Sequence, residues 1–231
     1  MIADQRMTAF INSFDRGNTG ILREIEKEAR KSSVPIIRRE TQSLLRLLLH
    51  MKRPGTILEV GTAIGFSSIF MSENNPAPCE VVTIENYEKR IRIARENLRR
   101  SGKEESIQLI RGDAQDVLKT LDGPYDFIFM DAAKGQYINF LPEVIRLLAP
   151  GGILVSDNVL QEGDILESRY AVTRRDRTIH KRMREYLYEI THHPSLTTTI
   201  LSVGDGVAIT VKELVKGKNG NGGPPPAALR C

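Results

Sequence analysis

The chain has only two cysteines, Cys79 and Cys231, and the second is its last residue, behind a Gly/Pro tail. A structural disulfide is not expected, and a reducing cytoplasm fits that usage. Long apolar runs are also missing: none approaches the roughly 18 to 20 residues that span a membrane. The opening MIADQRMTAFINSF carries charge early and lacks the apolar stretch and small-residue cleavage site of a secretory signal. There is no internal repeat, and no Cys/His cluster that suggests zinc. These absences point to a cytoplasmic globular chain, and 231 residues suffice for one sizeable domain. The net charge of +4, from 33 basic and 29 acidic residues, permits an anionic partner without requiring one.

Two patterns divide what is present. Up to residue 53 the sequence reads as helices. Ile21, Leu22, Ile25 and Ala29 recur at helical spacing, and a second stripe runs through Ile37, Leu44, Leu45, Leu48 and Leu49 to a stop at Lys52-Arg53-Pro54-Gly55. Short apolar runs then alternate with amphipathic stretches. The runs are Ile57–Val60, Val81–Ile84, Ile107–Ile110, Phe127–Met130 and Ile153–Val155, with helices such as Glu88–Arg100 and Ile138–Leu148 between them. That alternation predicts βαβ units and a parallel sheet covered on both faces. Leu196–Val203 and Val207–Lys212 are β-rich, and Gly204-Asp205-Gly206 marks a tight hairpin turn between them. The expected architecture is one α/β domain over residues 1–215, doubly wound and Rossmann-like, with N-terminal helices and a closing antiparallel hairpin. Residues 216–231 read as a low-complexity, disordered tail.

The segment ILEVGTAIGFSS, Ile57 to Ser68, links a predicted strand to a helix. Gly61 and Gly65 allow a tight turn and close approach to a ligand, at the strand end where open α/β sheets bind. A dinucleotide fingerprint would need glycine where Ala63 and Phe66 stand, and the Gly-Lys-Ser/Thr of a phosphate loop is absent. Glu59 ahead of the loop favours a cationic ligand over a pyrophosphate. Glu85 follows the second run, where an acid accepts from both ribose hydroxyls. Asp113 follows the third, where it could accept from an adenine amino group. Asp131 follows the fourth, and Asp157-Asn158 the fifth. Two carboxylates and an amide converging in one crevice select a hard cation, Mg2+ by default.

With these motifs the chain resembles the class I methyltransferases, and within them the cation-dependent O-methyltransferases that include the catechol and caffeoyl-CoA enzymes. EVGTAIGFSS, IRGDA (Ile110–Ala114) and LAPGGILVSDN (Leu148–Asn158) carry the resemblance. It implies a seven-stranded methyltransferase sheet and the cofactor S-adenosylmethionine. Gly61, Ser67, Glu85, Asp113, Ala114 and Asp131 would line the cofactor site with Glu59, and Ile37 would close over it. The metal triad falls on Asp131, Asp157 and Asn158, and Lys134 matches the family's general-base lysine. Relatives form dimers, so a homodimer is expected. Ala132-Ala133 depart from the bulky pair of the mammalian catechol enzymes, which puts a catechol substrate in doubt.

The segment Arg169–Arg184, RYAVTRRDRTIHKRMR, is strongly basic. It resembles the bacterial tRNA 5-hydroxyuridine methyltransferases, a branch of the same family. The resemblance implies a tRNA anticodon loop as partner, held by Arg174, Arg175, Arg177, Lys181 and Arg182. The wobble base of that loop would present a 5-hydroxyl beside a carbonyl. One alternative is an O-methyltransferase of small catechol-like or CoA-linked phenols. Another is a non-catalytic binding protein on the same scaffold.

Overall fold

The structure is a computed structural model that describes residues 5–168 and 170–214. The predicted tail 216–231, Arg169 and Cys231 lie outside the described residues. Three helices come first: α1 (Gln5–Asn12), α2 (Gly20–Lys31) and α3 (Arg39–Lys52). α2 buries Leu22, Ile25 and Ala29, and α3 buries Leu45, Leu48 and Leu49. Each stripe is the apolar face that a helix must lay against a core. α3 stops where the sequence indicates, with Arg53 left-handed at φ 50° and Pro54 unable to continue the helix.

The alternation follows as β1 (Thr56–Val60), α4 (Phe66–Asn74), β2 (Glu80–Glu85), α5 (Glu88–Ser101), β3 (Ile107–Arg111), α6 (Ala114–Thr120), β4 (Tyr125–Met130), α7 (Tyr137–Leu147) and β5 (Leu148–Ser156). The chain closes with α8 (Arg177–His192), β6 (Leu196–Leu201) and β7 (Val207–Lys212). Short 3-10 turns occupy Lys134–Gln136 and Gln161–Leu166. The seven strands lie in the order β3-β2-β1-β4-β5-β7-β6. β1 to β5 are mutually parallel, and β7 runs antiparallel to both its neighbours. Strand order reverses between β1 and β4, so a crevice opens outside their carboxyl ends.

Alternate residues of each strand point to opposite faces. Ile57, Phe127, Phe129 and Val155 pack under α2, α3 and α4. Leu58, Val60, Ile128, Met130 and Leu154 pack under α7 and α8. Glu59, between Leu58 and Val60, therefore faces the first layer from a core position. One boundary differs from the expectation. β5 begins at Leu148, ahead of the apolar run at Ile153, because Leu148 already pairs with Tyr125 across an irregularity in the ladder. Pro150, Gly151 and Gly152 between them hide the strand.

Candidate active site

The loop from β1 to α4 is shaped by close backbone contact. Gly61 has φ +104°, and a Cβ there would collide with the carbonyl oxygen of Asp131. Only glycine lets this loop lie against the end of β4. The amides of Gly61 and Thr62 donate to the Ile84 carbonyl at 3.1 Å, which ties the loop to β2 as well. Glu85 completes the tie. Its Oε2 accepts from the Ala63 amide at 2.9 Å, and its Oε1 accepts from Asn86 and Tyr87. Asp113 caps α6 by accepting from the Gln115 amide, the structural role common for such an acid. Ala114 opens that helix. Ser67 is buried in the first turn of α4, and Ile37 is buried ahead of α3, where its carbonyl accepts from Gln42.

Glu59 is fully enclosed, with Thr83 donating to its Oε2. Its Oε1 has no hydrogen-bond partner. Burial pushes its carboxyl up to about 7, against the pull of the Ser67 and Thr83 hydroxyls. Glu59 thus sits beneath the loop, not as a bare negative charge on the ligand's side.

Asp131 and Asp157 leave the ends of adjacent strands, and the Tyr137 hydroxyl holds those ends together. It lies 3.0 Å from the carbonyl oxygens of both Met130 and Asp157. Burial raises Asp131 to about 6, with Lys134 and Arg90 pulling the other way. Asp157 is raised to about 7 by burial and then by the negative charge of Asp131. Two neighbouring buried carboxylates that each disfavour ionisation make a site short of positive charge. Asn158, left-handed at φ 58°, donates its backbone N–H to Asp157 Oδ1 at 2.9 Å. Among the described residues no three His, Cys, Asp or Glu side chains form a metal cluster; the third donor here is an amide. Two carboxylates and an amide oxygen suit a hard divalent cation.

Three participants are missed by reading the sequence alone. Tyr137 shows there only as the edge of a helix. Thr41 of α3 places its hydroxyl 3.5 Å from Asp157 Oδ1. Asp205, a hairpin-turn residue in the sequence pattern, is 4% exposed and forms a 3.5 Å ion pair with Lys134. Nothing in local sequence signals these contacts, which join residues far apart in the chain.

The basic segment divides. Arg174 and Arg175 are exposed in the turn before α8. Arg177 is partly buried, and its Nε has no hydrogen-bond partner. Lys181 pairs with Glu185 at 3.5 Å. Arg182 donates to the Gly135 carbonyl at 3.2 Å, and Arg184 to the Ile165 carbonyl at 3.0 Å. α8 is thereby fastened to the turn after Asp131 and to the turn after Asn158. A separate cavity of about 1420 Å3 lies by α1 and α3, lined by residues such as Ile11, Phe14, Leu44 and Val203. It takes in neither the 61–65 loop nor the strand-end aspartates.

A doubly wound sheet of this order, with a glycine loop after β1 and acids at successive strand ends, defines a class I methyltransferase fold. The chain belongs to the O-methyltransferase family, whose model matches residues 12–213. It is 36% identical over 162 residues to a catechol O-methyltransferase of Mycobacterium tuberculosis, covering 67% of this chain and 70% of that one. It is 35% identical to another from Niastella koreensis over 53% of this chain and 58% of its relative. Among solved structures, a Staphylococcus aureus protein assigned as a caffeoyl-CoA O-methyltransferase superposes with TM-score 0.82 at 32% identity, covering 90% of this chain and all of that one. A Podospora anserina methyltransferase bound to S-adenosylhomocysteine gives 0.81 at 25% identity, covering 90% and 94%.

Proposed function

We propose that this protein methylates the 5-hydroxyl of 5-hydroxyuridine at the wobble position of tRNA, using S-adenosylmethionine and Mg2+. The observation that carries the reading is the anchoring of α8. The hydrogen bonds of Arg182 and Arg184 to the Gly135 and Ile165 carbonyls brace α8 against both turns that follow the strand-end aspartates, and the exposed Arg174 and Arg175 lie in the turn that leads into this helix. Exposed arginines beside a crevice suit a phosphate backbone, and an unpaired loop base can be splayed into a pocket cheaply.

The roles follow from position. The 61–65 loop, Ser67, Glu85, Asp113 and Ala114 would hold the cofactor, with Ile37 closing over it. Asp131, Asp157 and Asn158 would hold the cation. When bound, the cation lowers the pKa of the substrate hydroxyl and steadies its oxyanion, and the cofactor supplies an electrophilic methyl group. Lys134 would meet the reacting oxygen, where its Nζ can take the hydroxyl proton or balance the oxyanion. The crevice at the strand ends would keep the oxygen and methyl carbon aligned, the main source of acceleration for such a displacement.

A second reading, a small catechol-like phenol as substrate, is favoured by the names of the relatives. The deciding experiment incubates the protein with labelled S-adenosylmethionine, Mg2+ and tRNA from a strain lacking the modification, in parallel with catechol. Nucleoside mass spectrometry should find a methylated 5-hydroxyuridine. Label on catechol alone would overturn the tRNA reading.

A further inference from the structure

We propose that Asp205 is a positioning residue that holds Lys134 beside the two strand-end aspartates. The inference rests on the reading that Lys134 meets the reacting oxygen. A hairpin-turn aspartate is ordinarily solvated, yet this one is 4% exposed and its Oδ2 lies 3.5 Å from Lys134 Nζ.

The turn that carries Asp205 is fixed from two directions. The amides of Val159 and Leu160, on the segment leaving β5, donate to the Gly206 and Asp205 carbonyls at 3.0 and 3.1 Å. Gly206 has φ +86°, and a Cβ there would run into the Leu160 side chain. On the other side, a Cβ on Gly204 would come within 2.9 Å of Thr41 Oγ1. Thr41 is the residue whose hydroxyl reaches Asp157. The Asp205 backbone is thus locked to the strand end that bears Asp157 and Asn158.

The turn of Lys134 is braced by Arg182 at the Gly135 carbonyl, but the lysine side chain has no such frame. Lys134 starts a three-residue 3-10 turn, and its side chain is 34% exposed. A lysine ammonium on a flexible four-carbon stem stays in one place only when a partner holds it. Asp205 is that partner. It joins a flexible side chain from the β4 side to the rigid side of the crevice built on β5.

The transfer forms a bond from the substrate oxygen to the methyl carbon, breaks the carbon–sulfur bond, and releases the hydroxyl proton. Asp205 takes no part in that exchange and acts through Lys134. Misplacing a reacting or orienting group by about 1 Å can cost on the order of 100-fold in rate.

The test is a double-mutant cycle of Asp205→Asn, Lys134→Met and the pair, on whichever of tRNA or catechol the enzyme methylates. Asp205→Asn should lower kcat about 10- to 100-fold with the cofactor KM unchanged. The double variant should be no slower than Lys134→Met alone. Losses that multiply, or an Asp205→Asn variant with full kcat, would overturn the proposal. A melting cycle reads the same ion pair without catalysis, and so covers a variant too unstable to assay. Lys134→Met removes the ion-pair partner seen at Asp205 Oδ2, so the change in Tm on Asp205→Asn should be smaller in the Lys134→Met background than in the wild type. Additive changes in Tm would also overturn the pairing. Full kcat in Lys134→Met would instead refute the role assigned to Lys134 in the reaction.

Discussion

Glu59 shows what burial does to a single group. Its carboxyl titrates near 4.5 in an ordinary setting and near 7 here. Between those values the folded chain keeps a proton that the unfolded chain has released. Stability therefore falls as pH rises from about 4.5 to about 7, and stays at the lower level above that. Glu59→Gln removes this loss. Its stability should match the wild type near pH 4.5 and exceed it near pH 8, by at most about 3 kcal/mol, with Tm higher than the wild type only at the upper pH. An equal Tm difference at both pH values would show that the carboxyl is not protonated on folding. Asp131 and Asp157 lead to a second expectation. Millimolar Mg2+ should raise Tm near pH 8, as any ligand of the folded state does, and Asp157→Ala should abolish that rise. Calorimetric melts with and without EDTA would settle it. The strand-end acids are legible in the sequence because each stands within three residues of the end of an apolar run. Glu59 is legible as an acid, but which way it faces depends on the strand's alternation against α4. Asp205 and Thr41 are not legible, since their roles come from contacts across the fold.

At the scale of elements, α8 separates two kinds of arginine that the sequence groups together. Arg174 and Arg175 are free to meet a ligand. Arg182 instead braces the turn that starts with Lys134. Neutralising Arg174 and Arg175 should raise the tRNA KM and flatten the salt dependence of binding, by about 0.7 to 0.9 in log–log slope for each phosphate left unneutralised. Cofactor affinity should not change. Arg182→Ala should lower kcat and leave the tRNA KM near its original value. Filter binding at several salt concentrations, with steady-state kinetics, separates the two. Periodicity locates most elements to within a residue or two. It fails at the start of Leu148–Ser156, where Pro150 and the two glycines after it break the apolar pattern and Gly151 turns left-handed at φ 71° inside the strand.

At the scale of the whole molecule, the alternation of runs and helices foretells the parallel sheet, and Gly204-Asp205-Gly206 foretells the closing hairpin. No helix among the described residues is long and apolar enough to cross a membrane. α1 buries none of its residues in its own chain and exposes Met7, Phe10 and Ile11. If the homodimer expected from the sequence forms through that face, Phe10→Ser should shift the sedimentation coefficient toward a single chain. The contact of Gly61 with the Asp131 carbonyl has an effect on thermodynamics. The loop proposed to hold the cofactor lies directly against the backbone of Asp131, proposed to hold the cation, so filling one site would bear on the other. Linkage then requires reciprocity: whatever factor Mg2+ applies to cofactor affinity, the cofactor must apply to Mg2+ affinity. With Gly61→Ala that contact is forced apart, and the two titrations should become independent.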